Sequence, residues 1–209
     1  MGIKICPKDN TRGLNMTGII LAGGKASRMG RPCDKAFLKI GNEAIINIQI
    51  RMLKKIFKEI IIVTNSSDRY KDLKGVTLVP DMISGLGPMA GIYSGLLTSS
   101  SFYNFVVACD MPFINESVIR YMIKNKDNND VVVPKIGDKF HPLFGIYSKN
   151  CISIIAESIK QNDLSIRNIY SKVKSRFLTE HEMEEFDKGL LSLTNINIRE
   201  DYEACLSGR

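Results

Sequence analysis

Residues 17–30 read TGIILAGGKASRMG, an apolar run that stops at two glycines and then turns basic. TGIILA (17–22) has the length of one strand and no polar face, so it predicts a strand buried on both sides. Gly23 and Gly24 let the chain turn sharply and bring backbone N–H groups against a phosphate, with no Cβ in the way. Beyond them Arg28 can fork across phosphate oxygens, while Lys25 adds a point charge. Neither the P-loop G-K-[ST] ending nor the dinucleotide G-x-G-x-x-G spacing occurs here. A solvated turn is the plain alternative, but the order of strand, glycines, Arg-Met-Gly and a further lysine favours a phosphate cradle.

Working outward, residues 1–15 form a polar stretch without periodicity, expected to be an extension ahead of a single domain at 16–209. Strand-like runs follow at EIIIVTN (59–65), GVTLVPD (75–81), NFVVACD (104–110), DVVVPK (130–135) and PLFGIYS (142–148), with a last one around LTNINI (193–198). Helical spacing appears at 43–58, 87–100, 149–160 and 164–174, after a cap at Asn115, and in a terminal helix. The alternation predicts an α/β fold: three layers, doubly wound, with a mostly parallel sheet. Ligands of such sheets bind beyond the carboxyl ends of the strands, where the residues of interest lie.

Composition removes several function classes. The chain has 209 residues, 44% hydrophobic and 24% charged, which suits one globular domain rather than disorder. The longest apolar run is strand-sized and no leader pattern opens the chain, so a soluble cytoplasmic protein is expected, with no membrane partner. Five scattered cysteines and two histidines, without a C-x-x-C pair, point to reduced thiols and away from zinc. The net charge of +7 suits an anionic ligand. No aromatic-interleaved basic stripe accompanies it, so nucleic acid is not an expected partner.

Several other residues invite chemistry. Lys35 can neutralise charge on a phosphoryl group, or be an ordinary surface lysine. Asp110 ends an apolar strand ahead of Met111-Pro112; it can hold a hard cation such as Mg²⁺, or form a turn. Asp81 can accept from the N1 and N2 donors of a guanine. Gly87 and Gly91 flank a helix start, where backbone approaches an anion, although close helix packing explains Gly91 equally well.

LAGGKASRMG followed by DKAFLKIG (34–41) resembles the opening signature of the nucleotidyltransferases that activate phosphorylated small molecules, and within them the molybdenum cofactor guanylyltransferases. The resemblance runs from about Thr17 to about Tyr202 and implies a Rossmann-like nucleotidyltransferase fold. It places the triphosphate on Leu21, Ala22, Gly23, Gly24, Arg28 and Lys35, and a metal on Asp110. The family's D…GPLAG arrangement corresponds to Asp81 and GPMAG at 87–91, and its asparagine near the nucleotide to Asn65. His141 in FHPLFGIY and Arg167 in LSIRNIY correspond to residues near the pterin phosphate. Asn195 and Asn197 match the family's N-x-N-T-P-E-D, but Ile198-Arg199 replaces its T-P.

The resemblance implies attack of the pterin's terminal phosphate on the α-phosphorus of GTP, with Mg²⁺ on Asp110 and charge shared by Arg28 and Lys35. The implied partners are GTP and molybdopterin, together with enzymes that insert or receive the finished cofactor. Two rivals stay open: a cytidylyltransferase of the same fold, and a non-catalytic nucleotide-binding protein. The latter would be expected to lose Lys35 or Asp110, and both are present.

Overall fold

MTGIIL forms strand β1 (Met16–Leu21), buried at every position in a computed structural model that describes residues 15–23, 35–83 and 85–196. Gly24, Arg28 and Asn197 lie outside the described residues, as do Lys25, the N-terminal stretch 1–14 and the expected terminal helix. A 3₁₀ turn at Lys35–Phe37 leads to a small antiparallel hairpin of β2 (Lys39–Ile40) and β3 (Glu43–Ala44). Helix α1 (Ile45–Leu53), β4 (Glu59–Val63), the short α2 (Ser67–Tyr70) and β5 (Thr77–Val79) come next. They are followed by α3 (Pro88–Thr98), β6 (Tyr103–Ala108) and α4 (Glu116–Lys124). The last part holds β7 (Val131–Ile136), β8 (Lys139–Phe140), β9 (Phe144–Ser148), α5 (Cys151–Lys160), β10 (Ser175–Leu178) and α6 (Glu180–Glu184).

The main sheet runs β5-β4-β1-β6-β9-β7-β10. β1 is parallel to both neighbours, β4 pairs with β5 and β7 with β10 in parallel, and β9 runs against β6 and β7. Successive strand residues alternate between two cores. Ile20, Ile62 and Val107 pack with α1 and α4 on one face, while Ile19, Leu21, Val63 and Val106 pack with α3 and α5 on the other. This period of two, with apolar residues on both sides, explains why central strands such as β1 and β4 read as nearly unbroken hydrophobic runs. It also gives the three layers expected from the sequence. From β1 the chain winds outward to β4 and β5, then crosses back to β6 on the opposite side of β1. That reversal opens a crevice beyond the carboxyl ends of β1 and β6.

Three expectations need correction. Helix α1 begins at Ile45 because Glu43 and Ala44 pair with the β2 strand, and it ends at Leu53. The region 164–174 carries only a 3₁₀ turn at Ile166–Ile169. Asn162 in the left-handed region (φ 55°) closes α5, and the Asp163 carboxylate then takes the Ser165 N–H and the Asn168 amide, competing with helical bonding. The strand expected around 193–198 is absent at 194–196, which run as an irregular segment. In its place Ser175–Leu178 supplies the edge strand β10, against β7. No helix among the described residues is long and apolar enough to cross a membrane.

Candidate active site

The crevice gathers most of the residues singled out from the sequence. Leu21, Ala22 and Gly23 enter it from the end of β1, Lys35 from the 3₁₀ turn, and Asp110 from just beyond β6. Asp81, Gly87 and Asn195 complete its lining, together with Gly91, Cys109 and Leu143. Leu143 belongs because its carbonyl accepts the Ala108 N–H at 3.0 Å where β9 starts beside β6.

Asp110 is fastened through both its side chain and its backbone. The ladder continues one residue past β6, with Cys109 N–H donating to Leu21 O at 3.1 Å, so the next side chain emerges at the crevice floor. Its Oδ1 accepts from Asn195 Nδ2 at 2.8 Å, and its backbone carbonyl accepts from Ile196 N–H at 2.9 Å. The Lys35 Nζ stands 3.4 Å from Oδ2, with the two side chains only 20% and 17% exposed. At that length the pair is an electrostatic contact rather than a tight charge-assisted bond, which runs at about 2.7–2.9 Å. Partial burial strengthens its effect relative to a pair in water.

Below the same turn lies a residue the sequence reading missed. Gln49, fully buried on α1, donates through Nε2 to Ala108 O at 2.8 Å and to Met111 O at 2.9 Å. The available signal was its place on the buried stripe of α1 with Ile46, Ile50 and Leu53, where an amide needs partners.

The opposite wall carries Asp81. Asn65 does not line the crevice; its Oδ1 accepts from Asp81 N–H at 2.9 Å and so shapes the loop that presents the carboxylate. Asp81 Oδ1 accepts from Ile83 N–H at 3.2 Å, and Ser94 Oγ accepts from Met82 N–H at 2.9 Å. Gly87 caps α3 with φ 69° and ψ −158°, a conformation that suits glycine, and Pro88 starts the helix. Among the described residues no side chain caps this end and its first turn holds no acidic residue, so its N–H groups and dipole are directed to the crevice.

His141 and Arg167 stand apart from this lining. His141 is half-buried in the β8–β9 connection, where its N–H donates to Pro134 O at 3.0 Å. Burial, helped by the charge of Lys139, holds its pKa below the ordinary 6.5. Arg167 is exposed and lies over the Phe140 ring at 5.0 Å, in a separate shallow depression with Tyr170 and Phe177. Cys151 is buried and its thiol is pushed up to about 12, by burial first and the Asp130 charge second, which makes it a poor nucleophile.

Among the described residues no cluster of three or more His, Cys, Asp or Glu side chains forms a preassembled metal cage. A single carboxylate at the end of β6 can serve a hard cation that keeps waters and takes phosphate oxygens, and Asp110 fits that role.

Gly23 at a strand end, a helix N-terminus without a side-chain cap among the described residues and a lysine–aspartate pair, brought together at the reversal point of the sheet, define a nucleotide-handling α/β protein. Residues 18–177 match the model of the MobA-like NTP transferase domain, and the chain belongs to that family; it is a nucleotidyltransferase. It is 37% identical to a Pelotomaculum thermopropionicum protein named "Probable molybdenum cofactor guanylyltransferase", over 90% of each chain. A Desulfosudis oleivorans protein named "Molybdenum cofactor guanylyltransferase" is 33% identical, covering 90% of this chain and 93% of its own. In fold the chain is similar to the crystal structure of molybdopterin-guanine dinucleotide biosynthesis protein A from Archaeoglobus fulgidus. The TM-score is 0.78 at 22% identity, covering 91% of this chain and 97% of the other.

Proposed function

We propose that this protein transfers GMP from GTP to the terminal phosphate of molybdopterin or its molybdenum-bearing form, as a molybdenum cofactor guanylyltransferase acting in the cytoplasm. The observation that carries the reading is Asp110, held by Lys35 and Asn195 at the floor of a crevice shared by Gly23 at the end of β1 and the α3 N-terminus. The names of the relatives support guanylyl transfer with the molybdenum cofactor as acceptor.

In this reading an oxygen of the acceptor phosphate attacks the α-phosphorus in line. The new P–O–P bridge forms as the α–β bond breaks, and pyrophosphate leaves with the electron pair. The acceptor is already an anion, so no protein nucleophile is required, and the work is positioning and charge stabilisation. Backbone at Leu21, Ala22, Gly23 and Gly24 cradles the triphosphate, with Arg28 and Lys35 sharing its charge. Asp110 holds Mg²⁺, which when bound supplies positive charge to the phosphates. Asp81, in the loop that Asn65 shapes, accepts from guanine N1 and N2, and Gly87 lets backbone approach the nucleotide. Asn195 and Asn197 are assigned to the acceptor, with His141 and Arg167 reached by its part that extends beyond the crevice, and the catalytic domain spans 16–209 with 1–15 as an extension. Enzymes that insert or receive the finished cofactor take the product.

The test is pyrophosphate release from GTP, CTP and ATP with molybdopterin as acceptor. Turnover with GTP, at least about tenfold above the others in kcat/KM (~1.4 kcal/mol of discrimination), is the expected result. Turnover with CTP alone would overturn the guanylyl assignment.

A further inference from the structure

Gln49 is buried completely and belongs to no part of the site assigned above. Both hydrogens of its amide are engaged by the two carbonyls that bracket the Asp110 turn, Ala108 O at 2.8 Å and Met111 O at 2.9 Å. Because both partners are carbonyl oxygens, only the NH₂ end of the amide can face them. The turn's own bond, Met111 N–H to Ala108 O, is longer at 3.3 Å, so the side-chain fork is the better-formed tie across Cys109 and Asp110. The other end of the amide tells against a role in stability alone. Its Oε1 is buried without a hydrogen-bond partner among the described residues, an arrangement that costs stability and that an apolar side chain of equal length would avoid.

We infer that Gln49 is a positioning residue: its amide fork fixes the Cys109–Asp110 turn so that the carboxylate meets the nucleotide-bound cation in the right direction. This inference rests on the nucleotidyl-transfer reading. Lys35 and Asn195 restrain the carboxylate from the crevice side, while Gln49 restrains the backbone from the core side. Mg²⁺ demands near-ideal coordination, so a tilt of this one carboxylate is felt directly.

The test compares Gln49→Met, which keeps the volume and removes the fork, with Gln49→Asn, which keeps an amide but withdraws it by one methylene. Two quantities are read: affinity for the Mn²⁺ complex of α,β-methylene-GTP, by water-proton relaxation, and steady-state transfer of GMP. With near-ultraviolet circular dichroism unchanged, both variants should lose about 10–100-fold in Mn²⁺-complex affinity or kcat, the range typical of residues that orient a metal ligand. A loss read in kcat should leave the KM for GTP within about twofold, because uniform binding contacts remain, whereas a loss of Mn²⁺-complex affinity should appear in that KM as well. In an Asp110→Asn background the same substitutions should cause no further loss, as expected of residues acting through one group. Wild-type affinity and kcat in a folded variant would overturn the inference, as would an equal loss in both backgrounds. Failure of both variants to fold would overturn it too, by making the fork a structural tie. If the wild-type protein transfers no GMP, the functional reading falls, while the Mn²⁺-complex comparison still decides the role of Gln49.

Discussion

Asp110 receives bonds from parts of the chain that are remote in sequence: Lys35 lies 75 residues before it and Asn195 lies 85 after it. Replacing it by asparagine keeps the shape of the side chain and removes its charge. Asp110→Asn should therefore still bind nucleotide, read by equilibrium dialysis, while turnover falls at least ~100-fold through loss of cation-based charge stabilisation. Unchanged turnover would remove this carboxylate from the chemistry. The local part of this arrangement was legible in the sequence, since a strand running into glycines and a strand ending in aspartate are contiguous patterns. Asn195 came into view only through resemblance, because nothing local marks an amide that serves a carboxylate 85 residues away. Gln49 was missed for the same reason: its partners are carbonyls 59 and 62 residues distant, and carbonyls leave no trace in residue identity.

Helix α3 lies close on the sheet because two of its glycines face strand β1. A Cβ at Gly95 would stand 2.8 Å from Ile19 Cγ2, a branched methyl with little freedom, whereas one at Gly91 would stand 3.2 Å from the mobile Leu21 Cδ2. Gly95→Ala should destabilise the protein by about 1–2 kcal/mol, since overpacking of roughly 1–3 kcal/mol exceeds the helix-propensity gain of up to ~1 kcal/mol. Gly91→Ala should be nearly neutral in urea unfolding, within about 1 kcal/mol, yet raise the KM for nucleotide, because Leu21 lines the crevice and has to shift. Equal stability of wild type and Gly95→Ala would argue against the close contact. The main elements were readable because the central buried strands are nearly unbroken apolar runs of strand length. The peripheral ones were not. β10 begins at the end of the basic segment 172–176, and α6 depends on a reciprocal capping box between Thr179 and Glu182 rather than on a hydrophobic stripe.

Across the whole molecule, three carboxylates away from the crevice tie elements together. Burial works to raise the pKa of Glu59, but hydrogen bonds from Thr17 and Ser100 outweigh it and the net shift is downward. Asp130 shows the same contest, won by Ser148, Asn150 and the Lys174 N–H, and so does Glu182, won by Thr179, Tyr121 and Arg176. Groups whose folded pKa is lowered stabilise the fold above their ordinary values, 4.5 for glutamate and 3.8 for aspartate, and lose that contribution as pH falls through the folded values. His141 is also lowered, from 6.5, and the stability it gives above that value fades first on acidification. Thermal melts should therefore show a shallow decline in Tm below pH ~6.5 and a steeper one below pH ~4.5, by roughly 2–4 °C for each kcal/mol lost. His141→Gln should remove the shallow part alone, and a Tm constant down to pH 3 would contradict all four assignments. The tether from Asn195 to Asp110 also sets a clock on biosynthesis. At about 5–20 residues per second, the ribosome adds Asn195 on the order of ten seconds after Asp110. A nascent chain can thus complete strands β1 to β9 while its carboxylate still lacks its amide partner, and the restraint forms only when synthesis is nearly over.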